Sequence, residues 1–395
     1  MQYDLVFEGG GAKGVVFVGA LEAFEAAGHT FGRLIGTSAG AITATLLAVG
    51  YTSKEMLPKL EETRDGKPVF TTFMGKPPDV SIDEVRDGEI RKLLHYLNLP
   101  LVPDFIEEKV DDRLALSLAN HQQFRHLYSF VEQGGWFSAQ AFVNWLQNQL
   151  DAGTHNGKPR RYSQMTMHQF YESTNTDLTL TGADITDNRL LIFNYKTAPD
   201  LPVVWAVRMS MSVPLLWQEV IWQKEWGLYQ GKSLENHAVV DGGLLSNFPI
   251  ELLLSNEPQV TALMGAKHNE QVLGLLIDED AIVPHAPPSR EEPVMAILGR
   301  LHTVKRIRGL IDTATMARDK MVIEAFKDLV VRLPAKGYGT TEFGMSDERR
   351  EALINGGRQA MKAYLERPIS KSLDLPNLEE AYRQADRIAI DIVTR

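Results

Sequence analysis

Near the N-terminus, short apolar runs alternate with longer stretches whose apolar residues recur at helical spacing. Leu5-Val6-Phe7 reads as a buried strand and Val15 to Ala27 as a helix stopped by Gly28. Leu34-Ile35 follows as a second strand and Ala41 to Val49 as a second helix. Strands alternating with helices predict a parallel sheet covered on both faces, because each crossover helix must pack against one side of it. From Tyr51 to about Gly135 the pattern turns mainly helical, interrupted by Gly-Lys-Pro-Val and Gly-Lys-Pro-Pro. Ser81 and Glu84 there have capping-box spacing. We expect this stretch to be a helical insertion on the sheet.

Farther along, Ser138 to Leu150 is another amphipathic helix. Strand signals return at Leu178 to Gly182 and Leu190 to Tyr195, around the turn residues Thr186-Asp187-Asn188. They return again at Ala238 to Val240 and Val272 to Ile277, with an apolar, serine-bearing stretch from Val203 to Trp217 between. Helical periodicity dominates after Pro293, broken by the strand-like Val330-Val331-Arg332-Leu333. The tail carries Leu378, Ala381, Ala385 and Ile388 on one helical face, suited to packing on the domain or, less simply, to resting on a membrane.

Composition acts mainly by exclusion. The chain has 395 residues, 44% hydrophobic and 23% charged, which is ordinary for a globular protein with an ample core. It has no cysteine, so disulfide scaffolds, thiolate metal sites and cysteine nucleophiles are out. No apolar run reaches the roughly 18 residues a membrane span needs, and no leader pattern opens the chain. A cytoplasmic location is the expectation. The formal charge of −10 offers no overall attraction to nucleic acid, and no such partner is expected. His-Glu-x-x-His and EF-hand patterns do not occur, so no metal or other cofactor is expected. Glu107, Glu108, Asp111 and Asp112 read as a solvated helix face, Asp278-Glu279-Asp280 as a polar strand end, and Lys305, Arg306 and Arg308 as a solvated basic cluster.

Two glycine patterns carry the candidate chemistry. Gly9 to Gly14 satisfies G-x-G-x-x-G between a strand and a helix, but no acidic residue closes the next strand as a dinucleotide site requires. Lys13 is followed by Gly14, so the Walker pattern fails as well. What remains is a run of backbone N–H groups at a helix start, suited to an anion or a developing oxyanion. Lys13 is either a solvated charge or a cation reinforcing that site. Gly36-Thr37-Ser38-Ala39-Gly40 matches G-x-S-x-G in a strand–turn–helix setting, the nucleophile elbow, whose tightness demands small neighbours. The competing reading is a glycine turn with an N-capping serine. In a parallel unit the glycine loop and the elbow leave the sheet at the same edge, so N–H groups and hydroxyl can converge.

A serine hydroxyl needs a base. Asp241 ends an apolar strand before Gly242 and Gly243; His285, after a later strand, is the histidine a Ser–His–Asp arrangement would use, while His268 and His302 have no such setting. The loop Gly9 to Gly14, the elbow Gly36 to Gly40 and Asp241-Gly242-Gly243, in this order, resemble the patatin-like phospholipases. Arg208-Met209-Ser210-Met211-Ser212-Val213-Pro214 and Asn247-Phe248-Pro249 resemble that family's flanking blocks, extending the likeness from about Tyr3 to Ile277. Where the family more often has arginine this chain has Lys13, which keeps the charge and loses the planar fork.

The resemblance implies a three-layer α/β/α patatin-like fold with a central, mainly parallel sheet and helical insertions. It implies a catalytic domain over 1–285, with its insertion at about 51–135, and a helical C-terminal region over 286–395, part of it packed on the first. It implies a lipid acyl hydrolase with Ser38 as nucleophile and Asp241 as base, without a catalytic histidine. The implied oxyanion set is Gly9, Gly10, Gly11, Lys13, Gly14 and Ala39, with Gly36, Gly40, Gly242 and Gly243 supporting the turns. Phospholipid or a related acyl lipid would be the substrate, met in transient contact with a membrane surface, and the added helices leave room for an activator or an oligomer. Trp217, Val220, Ile221, Trp222 and Trp226 are candidates for ordinary packing or for a lipid-facing surface. A non-catalytic binder of an anionic headgroup or nucleotide is the alternative from another class.

Overall fold

The structure is a computed structural model that describes residues 1–64, 66–81, 83–84, 88–90, 121–267, 271–288, 323–367, 383 and 385–391. Its main sheet has eight strands, β1 (Gln2–Phe7), β2 (Thr30–Gly36), β3 (Leu178–Asp184), β4 (Arg189–Phe193), β5 (Val220–Ile221), β6 (Ala238–Asp241), β7 (Val272–Ile282) and β8 (Val330–Lys336). The hydrogen-bonded path runs β5-β6-β3-β2-β1-β7-β8, and β4 pairs with β3. Pairings β3–β2, β2–β1, β1–β7 and β7–β8 are parallel, whereas β4, β5 and β6 join antiparallel.

Among the described residues the longer-range packing uses helices α1 (Val16–Ala26), α2 (Ala39–Ala48), α3 (Ser53–Leu60), α4 (Gln122–Glu132), α5 (Gln140–Asp151), α6 (Met167–Thr174), α7 (Val203–Ser210), α8 (Glu251–Leu254), α9 (Pro258–Met264) and α10 (Asp347–Leu365), with a tail helix at 385–391. The period-two alternation of the strands divides the core in two. Leu5, Phe7, Leu34, Leu273, Leu275 and Val331 face one cluster with residues of α1, α2, α7 and α10. Val6, Ile35, Val272, Leu276 and Val330 face the other, with Phe248, α8, α9 and the tail residues Ala385 and Ala389. Strands buried on both faces by helices give the three-layer α/β/α arrangement expected of the sequence.

No break in the sheet falls at residue 285: β8 adds parallel to β7, and Gly357 of α10 touches the backbone of Val16 in α1 so closely that a Cβ there would lie 2.2 Å from its carbonyl oxygen. The C-terminal region therefore contributes an edge strand and a packed helix to the same core. The tail helix also docks on the domain: Asp386 accepts hydrogen bonds from Ser255 Oγ (2.7 Å) and Asn256 N–H (3.1 Å). In the 51–135 stretch, α3 and α4 are helical and Ser81–Glu84 makes its reciprocal capping bonds. The acidic face at 107–112, the basic cluster at 305–308, His268 and His302 lie outside the described residues.

Candidate active site

The site forms where β1 and β2, parallel neighbours with Phe7 opposite Gly36, deliver their loops to one sheet edge. After β2 the chain reverses into α2 through Ser38, whose φ of 52° and ψ of −118° lie where an L-residue is strained. The glycines make this turn feasible. A Cβ on Gly40 would stand 2.3 Å from the Phe7 carbonyl oxygen, and one on Gly36 would stand 2.4 Å from the Gly40 carbonyl oxygen. Ser38 makes no capping bond to its own helix. Its side chain instead faces the Asp241 carboxyl and favours its charged form, and its N–H donates to Ser210 Oγ at 3.0 Å.

Asp241 arrives from the far side of the sheet, at the end of β6 and opposite Gly182. Its N–H donates to the Ser212 carbonyl (2.9 Å), and its Oδ1 accepts the Gly243 N–H (2.8 Å). Burial pushes its carboxyl up to about 7, because desolvation outweighs the Ser38 and Gly243 hydrogen bonds that favour the charged form. Among the described residues no cation pairs with it. Behind the Ser210–Ser212 turn, buried Arg208 donates to Ser212 Oγ and to the Gln218 carbonyl (2.7 Å). Its own pKa falls to about 9 by desolvation, so it stays charged at neutral pH. This is the physical role of the block around Arg208: it supplies one hydroxyl to the elbow and one carbonyl to the strand bearing Asp241.

The glycine loop lies against the elbow. A Cβ on Gly9 would fall 3.1 Å from that of Ser38, and one on Gly14 would fall 2.7 Å from that of Ala39. Residues Gly11–Val15 form a 3-10 turn entered through Gly11 at φ 56°. Several loop N–H groups are already engaged: Gly9 with Asn247 (3.2 Å), Ala12 with Thr340 (2.8 Å) and Lys13 with Gly10 (3.2 Å). Gly10, Gly11 and Ala39 N–H have no backbone acceptor among the described residues. Lys13 is neither solvated nor free: its ammonium is buried and ion-paired with Glu279, which the polar strand end at 278–280 presents to it. Asn247 ties the loop down by donating to Glu8 Oε1 (3.2 Å) and the Gly9 carbonyl (3.0 Å), while Glu8 Oε2 takes the Ile277 N–H (2.6 Å).

Ser38 opens into an apolar cavity, partly open to solvent, that runs beside α1 and α2 past Ile42 and Leu46 to Met56. Phe70, Phe73, Trp145, Trp217, Phe343 and Met345 add the walls. Of the tryptophan-rich run, Trp217 reaches the cavity and is fixed by its Nε1–H to the Phe73 carbonyl (2.9 Å). Trp222 and Trp226 pack on each other and Trp226 stacks on Trp205, so they belong to the core. His285 is exposed in a turn after β7 and is not in the cavity wall. Phe343, Met345, Phe70 and Trp145 carry no motif that would have marked them.

The family model described as patatin-like phospholipase matches residues 5–254, from β1 through the elbow and Asp241 to the end of α8. The chain belongs to the patatin-like phospholipases. Among relatives of this patatin-like chain, "Uncharacterized protein YqhO" of Bacillus subtilis (strain 168) is 26% identical over 372 residues, 92% of this chain and 98% of that protein. "Probable lipid hydrolase 463L" of Invertebrate iridescent virus 6 is 22% identical over 251 residues, 63% of this chain and 62% of that one. Among solved structures, VipD from Legionella pneumophila aligns with a TM-score of 0.46 at 18% identity, covering 92% of this chain and 66% of that one.

One polar cluster of this patatin-like domain stands apart from the site. Asp184, Asp187 and His237 bring ligand-type atoms within 4.8 Å of one another. Arg189 already supplies positive charge there, to Asp184 at 3.2 Å and Asp187 at 3.4 Å. Asp184 also accepts the Thr186 (3.0 Å) and Asp187 (3.2 Å) N–H groups, which makes it the anchor of the β3–β4 turn.

Proposed function

We propose that the protein is a serine lipid acyl hydrolase, cleaving acyl esters of phospholipids or related lipids through Ser38 and Asp241. The observation that carries this reading is the Ser38 side chain set beside a buried Asp241, which among the described residues pairs with no cation, at the head of an apolar cavity. Ordinary aspartate, with a pKa of about 3.9, is too weak a base for a serine hydroxyl. Burial brings Asp241 to about 7, near working pH, where a general base is most effective.

In the acylation step Ser38 Oγ attacks the ester carbonyl carbon while its proton passes to the Asp241 carboxylate. The carbonyl oxygen becomes an oxyanion, held by the Gly10, Gly11 and Ala39 N–H groups; one such donor is worth roughly 2.7–4 kcal/mol in a serine protease. Collapse breaks the ester C–O bond, and the leaving alkoxide takes the proton back from Asp241. Water then attacks the acyl-Ser38 carbonyl with Asp241 as base, releasing the fatty acid and restoring both residues. The apolar cavity suits the acyl chain.

Fatty-acid release from mixed phospholipid vesicles, read by mass spectrometry, tests the reading. Release by the wild type and none by Ser38→Ala or Asp241→Ala is the expected result. Near-normal release by Asp241→Ala would remove Asp241 as base. If the wild type releases nothing and a fluorophosphonate probe leaves Ser38 unlabelled, the protein is a non-catalytic binder.

A further inference from the structure

The strongest unassigned feature of the cavity is a wall made by residues far beyond the matched family region. Residues 337–350 follow β8 and enter α10, whereas the family match ends at residue 254. The segment follows the cavity along its length. At one end the Thr340 carbonyl accepts the Ala12 N–H at 2.8 Å and would sit 2.2 Å from a Cβ on Gly11, so it braces the glycine loop itself. At the other end Arg350 lines the cavity 3.9 Å from Glu61, which follows α3. Between them Phe343 and Met345 face the cavity, with the Phe343 ring edge-on to Trp217 at 5.9 Å.

This wall is held rigidly. Buried Arg349 makes a two-pronged pair with Glu342 (2.7 and 3.1 Å) and donates to the Pro287 (2.5 Å) and Gly337 (2.9 Å) carbonyls. Its guanidinium lies 4.0 Å from the Tyr338 ring centre, and the Tyr338 hydroxyl donates to the Arg349 carbonyl at 2.9 Å. Glu342 in turn accepts the Gly339 N–H at 3.0 Å. A loop with this many internal bonds presents its side chains at set positions, the condition for a wall that measures a ligand.

We propose that Phe343, on this C-terminal wall, selects the acyl chain by length, so that the segment at 337–350 is a specificity element of the site. This rests on the reading of the Ser38 cavity as an acyl site. From Ala39 to Leu46 the cavity follows α2 for about 10 Å. Over that distance a chain runs past Trp217 and Phe343, and the ring of Phe343 limits the space left for longer chains.

The test is displacement of a fluorescent polyene fatty acid, cis-parinarate, by octanoate, laurate, palmitate and stearate in the full chain, which needs no turnover. Phe343→Ala should raise the stearate-to-octanoate affinity ratio by about tenfold or more, since each further methylene buried is worth roughly fourfold. Phe343→Trp should lower the same ratio. Phe343 is partly exposed, so neither change empties the core, and thermal melts confirm folding. A ratio unmoved by both variants overturns the inference, as does a wild type from which no fatty acid displaces the probe. Failure of the hydrolase reading looks different: the ratio moves as stated while vesicles release no fatty acid.

Discussion

Two buried aspartates stand on one strand pair and are treated in opposite ways. Asp184 lies opposite Val239 and Asp241 opposite Gly182, two residues along the same β3–β6 ladder. Asp184, fully buried, receives Arg189, His237 and two turn N–H groups. Asp241, almost as buried, receives a hydroxyl and one N–H, and its carboxyl is pushed up to about 7. The carboxylate that fixes the turn is ringed by an arginine, a histidine and backbone N–H donors. Asp241, proposed to accept a proton, pairs with no cation among the described residues, at a cost to stability.

The largest expected effect separates the two in function. Asp241→Asn should lower fatty-acid release by at least about a hundredfold, the lower end of what general-base catalysis contributes. Asp184→Asn should leave turnover measurable.

In stability the signs reverse. The Asp241 carboxyl is raised in the folded state, so the unfolded chain has released this proton above about pH 4 while the folded chain holds it until about 7. This group's contribution is therefore full below pH 4 and is lost as pH rises toward 7. Asp241→Asn should stabilise the protein at pH 8 by up to about 4 kcal/mol, read from denaturant melts. Asp184→Asn, which strips partners from Arg189 and His237, should destabilise it by about 1–3 kcal/mol. Equal destabilisation by both would break the comparison.

A third measurement sharpens it. The pH dependence of kcat/KM should rise through an apparent pKa near 7, because Asp241 must be ionised to act as base. A rate already flat from pH 5 would mean that another group is the base.

The smallest effect concerns Lys13. Its ammonium is paired with Glu279, a carboxylate whose side chain is 68% exposed, and solvent screening keeps such pairs weak. Lys13→Met should cost less than about 1 kcal/mol of stability. Activity should fall by less than about tenfold, since the pairing already satisfies the cation. A loss comparable to Asp241→Asn would return Lys13 to the chemistry.

Much of the site was legible because its residues are constrained locally. Gly36 and Gly40 are glycine since backbone atoms occupy the space of a Cβ, and that requirement leaves a pattern in the chain. The alternation of Leu5, Val6 and Phe7 between two clusters likewise leaves a readable signature of a sheet covered on both faces. Trp217 and Trp222 show where such reading stops. Both sit in one aromatic run, yet one lines the cavity and the other packs with Trp226. Trp217 sits on a short strand paired with residues 135–137 and donates to the Phe73 carbonyl, contacts with segments distant in sequence.

The sequence by itself determined the alternating architecture, the strained elbow at Ser38, the glycine loop and the aspartate that ends β6. Each follows from steric and periodic demands within a few residues of chain. Tertiary structure alone decided that Asp241 is buried with no cation beside it among the described residues, that Lys13 is neutralised by Glu279, and that residues near 340 brace a loop near 12. Those outcomes depend on desolvation and on contacts between segments separated by hundreds of residues, and neither leaves a local pattern.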